Sequence, residues 1–161
     1  MKKTNIKDCG MCEENLATKQ RIKLEDNLCF SIYKTSHALN RFFKPRLKEL
    51  GLTYPQYLVI LALLDKDRQT VTNLGKLLFL ESSTLTPLLK RLETSGFILR
   101  QRSSKDERQV IISLREKGRQ LSDGICRIQA CALEALDMDL DTANALILQM
   151  NELRTVLTEE T

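Results

Sequence analysis

Apolar positions recur with helical period over most of the chain. Leu28, Ile32, Leu39, Phe42, Phe43 and Leu47 follow one another near 3.6-residue spacing, which predicts a helix from about Leu24 to Leu50. Gly51 fits its stop, and Pro45 lies inside it as a point of bending or breakage. Thr53-Tyr54-Pro55 has the form of a helix start, and the run 57–64 reads as the buried helix that follows. A polar turn is expected over 65–69. Thr70 or Thr72 then caps a short helix over Val71, Leu74, Leu77 and Leu78. A further helix opens at Ser82, passes through Leu85, Leu88, Leu89 and Leu92, and stops at Gly96, with Pro87 expected close to its first turn.

After Gly96 the period changes. Residues 97–102 and 109–114 read as two short strands joined by a charged connection, 103–108. Helix returns from Arg115 to about Ala135, and a last helix runs from near Asp139 or Asp141 to Leu157. The order predicts a mainly α chain with a small β-hairpin wing, a winged helix-turn-helix. Four regions are expected: a loose arm (1–22), N-terminal helices (23–65), the winged helix-turn-helix (66–119) and C-terminal dimerisation helices (120–161). Leu121, Ile125, Ile128, Leu133 and Leu136, with Leu146, Ile147, Met150, Leu153 and Leu157, exceed what so small a module covers. Burial against a second copy is the expected remedy.

Charge sharpens this picture. The 161 residues carry a net +4, but from residue 133 onward seven acids face one base, a local −6. Residues 90–119 hold nine bases and four acids, a local +5. A basic middle and an acidic end suit a nucleic-acid module with a separate assembly segment; a solvated charged face is the plainer reading. No apolar run is long enough to span a membrane. Met1-Lys2-Lys3 leads into Asp8, Cys9 and Gly10 rather than an apolar stretch, so a cytoplasmic protein is expected.

The helix starting Ser82-Ser83-Thr84-Leu85-Thr86 has small hydroxyl residues at its N-terminus, where close approach to base edges or phosphates is easiest. Lys90 and Arg91 follow two turns later. Arg108 at the hairpin tip is placed to enter a minor groove, with Asp106 expected to hold its guanidinium in a bidentate pair. Against this stands the bland alternative that the hydroxyls merely cap a helix and Arg108 is a solvated charge. Double-stranded DNA is the expected partner.

There are five cysteines: Cys9, Cys12, Cys29, Cys126 and Cys131. The odd count argues against a disulfide framework. Cys9-x-x-Cys12 lacks further ligands at zinc spacing, and the single His37 lies on the first long helix, so no metal and no cofactor are expected. Cys29 lies in an apolar run, where burial alone would make it an inert thiol.

The stretches 28–33 (Leu-Cys-Phe-Ser-Ile-Tyr), 52–58 (Leu-Thr-Tyr-Pro-Gln-Tyr-Leu), 83–92 (Ser-Thr-Leu-Thr-Pro-Leu-Leu-Lys-Arg-Leu) and 106–110 (Asp-Glu-Arg-Gln-Val) together resemble the MarR family of winged-helix repressors, in particular its organic-hydroperoxide resistance regulators. The similarity covers about residues 24 to 119 and loosens after that. It implies a homodimeric repressor on a pseudo-palindromic operator, not an enzyme. It implies Cys29 as the cysteine oxidised by organic hydroperoxides, with Tyr33 and Tyr54 as hydrogen-bond partners of its thiolate, Tyr54 from the other subunit. Where the family often has a third tyrosine this chain has Phe43, which cannot donate. The resemblance also implies an intersubunit disulfide, with Cys131 the nearer match for the resolving thiol and Cys126 the reserve; plain packing is the alternative reading of both. Two other readings stand beside it: a repressor released by a small phenolic or carboxylate ligand with Cys29 idle, and a thiol peroxidase built on Cys29, in which the basic wing has no role.

Overall fold

The computed structural model describes residues 23–104 and 106–159. After a single 3-10 turn (Leu24–Asp26), seven helices and three short strands follow in the order α1 (Leu28–Glu49), α2 (Tyr54–Asp65), β1 (Gln69–Thr70), α3 (Val71–Leu78), α4 (Ser82–Thr94), β2 (Ile98–Arg102), β3 (Val110–Leu114), α5 (Glu116–Arg119), α6 (Ser122–Ala135) and α7 (Leu140–Glu159). The chain divides into two compact units. One comprises Met1–Ser36 and Ala132–Thr161, the other His37–Cys131.

The larger unit holds the core. Leu47, Val59, Ile60, Leu63, Leu74, Leu85, Leu89, Leu92, Ile98 and Ile112 are fully enclosed. At about 1.5–3 kcal/mol for each buried aliphatic side chain, this cluster is the main reason the unit holds together. The wing is a three-stranded antiparallel sheet in the order β1-β3-β2, with Ile98 opposite Leu114 and Arg102 opposite Val110. β1 pairs with the middle of β3, Gln69 opposite Ile112. The expected polar turn over 65–69 therefore ends in a strand. Its polar Gln69 is buried and donates from Nε2 to the carbonyls of Ala62 (3.1 Å) and Lys66 (3.0 Å).

Further expectations are corrected. The helix expected over 115–135 is broken into α5 and α6 around Gln120–Leu121. A Cβ on Gly118 would lie 2.3 Å from the Phe97 carbonyl oxygen, so this turn is pressed against β2's approach. The Gln120 and Leu121 N–H groups close local turns to Glu116 and Gly118, and the helix restarts at Ser122. Pro87 is the sixth residue of α4 rather than a first-turn residue. Ile125 and Ile128, expected to await a second copy, are already buried within the chain. Pro45 does not break α1, which continues to Glu49.

The smaller unit leaves much of its apolar surface open: Leu28, Leu136, Leu140, Ile147, Leu148 and Leu157 are each at least half exposed. That is the arrangement expected of helices that bury their faces against another chain.

Candidate nucleic-acid interface and candidate sensing cysteine

Everything proposed to read DNA lies in the larger unit. α3 is capped by Thr70, whose Oγ1 accepts the Asn73 N–H at 3.1 Å. It ends at Phe79, in the left-handed region (φ 52°), and the Leu80 N–H returns to the Gly75 carbonyl at 3.0 Å. A Cβ at Gly75 would sit 2.9 Å from the Leu80 carbonyl, so glycine is what lets this turn close tightly enough to deliver α4.

α4 buries Leu85, Leu89 and Leu92, spaced by four and three residues. That stripe turns the opposite face outward. Ser82, Ser83, Thr84, Lys90 and Arg91 are exposed, and Thr86 is half-buried. Glu81 is the N-cap residue, so the serines and threonine occupy the first helical turn rather than the cap. Their hydroxyls are thus presented at the helix's positive end. Glu93, on the inner side of α4, pairs with Arg100 of β2 at 3.6 Å and accepts the Arg100 N–H at 3.3 Å, which fixes the helix against the wing.

The wing tip is held by its own backbone. Ser103 N–H donates to the Gln109 carbonyl, and Gln109 N–H to the Asp106 carbonyl, both at 2.9 Å. The Asp106 carboxylate accepts the Arg108 backbone N–H and the Gln109 amide, each at 3.0 Å. The expected pairing of Asp106 with the Arg108 guanidinium is therefore not its role. Asp106 shapes the loop, and the exposed Arg108 side chain is left to reach outward.

At the wing's base lies a residue the sequence reading did not single out. Asp67 accepts the Leu114 N–H at 2.9 Å and pairs with Arg119 at 2.5 Å. Burial alone would raise its carboxyl; the Leu114 N–H, the Arg119 guanidinium and the Arg68 N–H outweigh it and hold the group below the usual carboxylate range.

In the smaller unit, Cys29 is the second residue of α1. Asn27 caps that helix end, its Oδ1 accepting the Phe30 N–H at 2.9 Å. A thiolate there would face the positive end of a 22-residue helix. Tyr33 stands one turn further on, 60% exposed. Cys29 itself is exposed in the single chain, so the burial expected from its apolar neighbours is not supplied by this chain.

In the larger unit, Tyr54 belongs to an aromatic cluster. Its ring lies 5.3 Å from Phe43 and 5.8 Å from Tyr57, and burial raises its hydroxyl above the ordinary tyrosine value. The hydroxyl therefore stays protonated and able to donate. Phe43, buried at the centre of this cluster, contributes only packing. Cys126 and Cys131 are both exposed on α6. Five residues at about 100° each set them on different sides of the helix. Cys131 lines a cavity of about 250 Å³ with Arg46, Glu49, Leu50 and Arg127, whereas Cys126 lies within electrostatic reach of Tyr57. Cys9 and Cys12 lie outside the described residues. Among the described residues no group of His, Cys, Asp and Glu is disposed to hold a metal ion.

The family model for the transcriptional regulator SarA/Rot matches residues 41–125. The organic hydroperoxide resistance transcriptional regulator of Bacillus subtilis (strain 168) is 48% identical over 102 residues, covering 63% of this chain and 69% of that protein. AbfR of Staphylococcus epidermidis superposes with a TM-score of 0.75 at 36% identity, over 93% of this chain and 99% of that one. AbfR has also been solved reduced and bound to DNA (TM-score 0.69, 35% identity, 91% and 98% covered) and in a disulfide-formed state (0.60, 35%, 89% and 96%). A MarR transcriptional regulator from Methanosarcina mazei Go1 shares the fold, with a TM-score of 0.71 at 20% identity over 80% and 94% of the two chains.

Proposed function

This chain belongs to the SarA/Rot family of transcriptional regulators, and from that premise we propose that it is a DNA-binding repressor that senses organic hydroperoxides through Cys29. One observation carries the reading: a cysteine at the capped N-terminus of α1, one turn from a tyrosine, in a chain 48% identical to a hydroperoxide-resistance regulator. AbfR, 36% identical, supports the same chemistry, since it has been solved both reduced on DNA and with a disulfide formed.

The chain acts as a homodimer on a pseudo-palindromic operator, the two-fold symmetry of the protein matching that of the site. α4 enters the major groove through Ser82, Ser83, Thr84 and Thr86, with Lys90 and Arg91 behind them. Arg108 of each wing reaches the neighbouring minor groove.

Sensing begins when the Cys29 thiolate attacks one peroxide oxygen. The O–O bond breaks, sulfur is oxidised to sulfenic acid, and the alkoxide leaves and takes up a proton as the alcohol. Hydrogen bonds from Tyr33, and from Tyr54 of a second copy, favour the thiolate. A thiol on α6 of the second copy, Cys131 before Cys126, then attacks the sulfenic sulfur. A disulfide forms and water leaves. The bridge draws the helices that carry it, the spacing of the two reading heads changes, and the operator is released. Each cysteine reacts once per reduction, so this is a switch and not turnover, and it operates in the cytoplasm. Among the described residues no helix is long and apolar enough to cross a membrane.

A gel-shift titration tests the reading. Cumene hydroperoxide abolishes operator binding by the reduced protein and leaves Cys29→Ser bound. Release that persists in Cys29→Ser replaces peroxide sensing by ligand-driven release, and the absence of any specific duplex binding ends the repressor reading altogether.

A further inference from the structure

We propose that Tyr57 and Gln129 are positioning residues for the peroxide reaction: their hydrogen bond ties the aromatic cluster of α1 and α2 to α6, and so sets the angle at which Tyr54 offers its hydroxyl to the Cys29 sulfur of a second copy. This rests on the sensing function proposed above. Phe43, Tyr54, Tyr57 and Gln129 all belong to the larger unit. The three rings are in mutual contact, with centroids 5.3 Å apart for Phe43 and Tyr54, 5.8 Å for Phe43 and Tyr57, and 5.8 Å for Tyr54 and Tyr57. Tyr57 is buried and lies nearly parallel to Phe43, at 24°. Its side chain is hydrogen-bonded to Gln129 on α6. That helix is itself anchored in the unit by the buried Ile125 and Ile128.

Two things must be fixed for Tyr54 to serve as a donor, its backbone and its ring. The backbone is fixed by the start of α2, where the Thr53 N–H donates to Gln56 Oε1 at 2.8 Å in a capping box. The ring is half-buried and held by its two aromatic neighbours. Offset and tilted ring pairs are both favourable, so stacking keeps Tyr54 near a place rather than at one angle. A hydrogen bond is directional and supplies what stacking lacks. Phe43 has no hydroxyl with which to make one. Tyr57 does, and it is the ring of the cluster that reaches α6. With its side chain engaged by Gln129, Tyr57 acts on the sulfur through Tyr54 and not by direct contact.

The test is the rate of Cys29 oxidation by cumene hydroperoxide, followed on the Cys29 peptide by mass spectrometry across a pH series. Tyr57→Phe keeps the ring, and Gln129 is exposed, so Gln129→Leu leaves the core intact. Each variant slows oxidation at neutral pH by about 3–10-fold, the range that one hydrogen bond spans. The double variant is no slower than either, because both remove the same bond. The pH of half-maximal rate moves upward, since the thiolate loses support from its donor. Melting temperatures stay at the wild-type value. In a Tyr54→Phe background the two substitutions have no further effect. Wild-type rates in both variants overturn the proposal, and so does an equal slowing with Tyr54 already replaced. A slower reaction with an unshifted pH profile and a lowered melting temperature also overturns it, returning the pair to packing. If Tyr54→Phe itself reacts at the wild-type rate, or wild-type Cys29 does not react at all, the sensing reading falls and the proposal with it.

Discussion

Asp67 and Arg119, separated by 52 residues in sequence, form an ion pair at the base of the wing. The same carboxylate accepts the backbone N–H of Leu114, the last residue of β3. One side chain in the α2–β1 connection thus fastens both the wing's outgoing strand and the short helix after it. The wing can place Arg108 usefully only if its base is fixed, so the function proposed for the tip depends on a residue far from it.

Asp67→Asn keeps the shape but loses the charge. Both partners are partly solvated, so the expected loss is modest, about 1 kcal/mol at neutral pH. The folded-state carboxyl lies below its ordinary value near 3.8. Its contribution is therefore fully present above the unfolded pKa and is lost as pH falls through that value toward the folded one. Urea denaturation should show wild type and variant separated at pH 7 and converging below about pH 4. A gap that persists at pH 3 would mean the ion pair is not its source.

α4 has a buried face, Leu85, Leu89 and Leu92, and an exposed face that is proposed to read DNA. Leu89 is fully buried, and Arg108 in the wing is exposed. Leu89→Ala should destabilise the protein by about 2–5 kcal/mol. Arg108→Ala should leave the melting temperature unchanged and weaken operator binding by about 1–3 kcal/mol, the worth of a good base-level contact. Calorimetry and anisotropy on the same pair of variants separate the two effects. A matching loss of stability in Arg108→Ala would return it to the structural residues.

These assignments show what a linear sequence exposes. The stripe of Leu85, Leu89 and Leu92 and the strands beginning at Ile98 and Val110 carry their periods openly, so α4 and the wing were readable. Gln69 was not, because a two-residue strand has no period and a buried glutamine looks like a turn residue until Ala62 and Lys66 supply its acceptors. Asp106 and Arg108, a carboxylate and a guanidinium two residues apart, suggest a pair in sequence, but the turn offers the carboxylate a backbone N–H and the Gln109 amide nearer at hand.

Gly118 is the least visible of these determinants. Its hydrogen stands where any larger group would meet the Phe97 carbonyl at 2.3 Å and the Leu114 side chain at 3.0 Å. The carbonyl is backbone and accepts the Arg115 N–H, so it has little freedom to retreat. Gly118→Ala should cost about 1–3 kcal/mol through forced displacement, despite alanine's better helix propensity. A chemical-denaturation midpoint equal to or above wild type would show that α5 shifts freely.

The two cysteines of α6 offer the sharpest test of how oxidation is transmitted. They face different sides of the helix, so one rigid approach of a partner's Cys29 can serve one of them and not both. Cys131 lines a concave opening with Arg46, Glu49, Leu50 and Arg127, into which a second sulfur can be brought against it. Cys126 does not line that opening and lies instead near Tyr57, whose side chain is hydrogen-bonded to Gln129. Peroxide-treated protein on a non-reducing gel should therefore run as a covalent dimer in wild type and in Cys126→Ser. The dimer should be absent in Cys29→Ser and in Cys131→Ser. In Cys131→Ser the sulfenic acid, denied its partner, should be trapped by dimedone and detected as a single adduct by mass spectrometry. A covalent dimer that survives in Cys131→Ser and disappears in Cys126→Ser would move the resolving role to the Tyr57 side of α6.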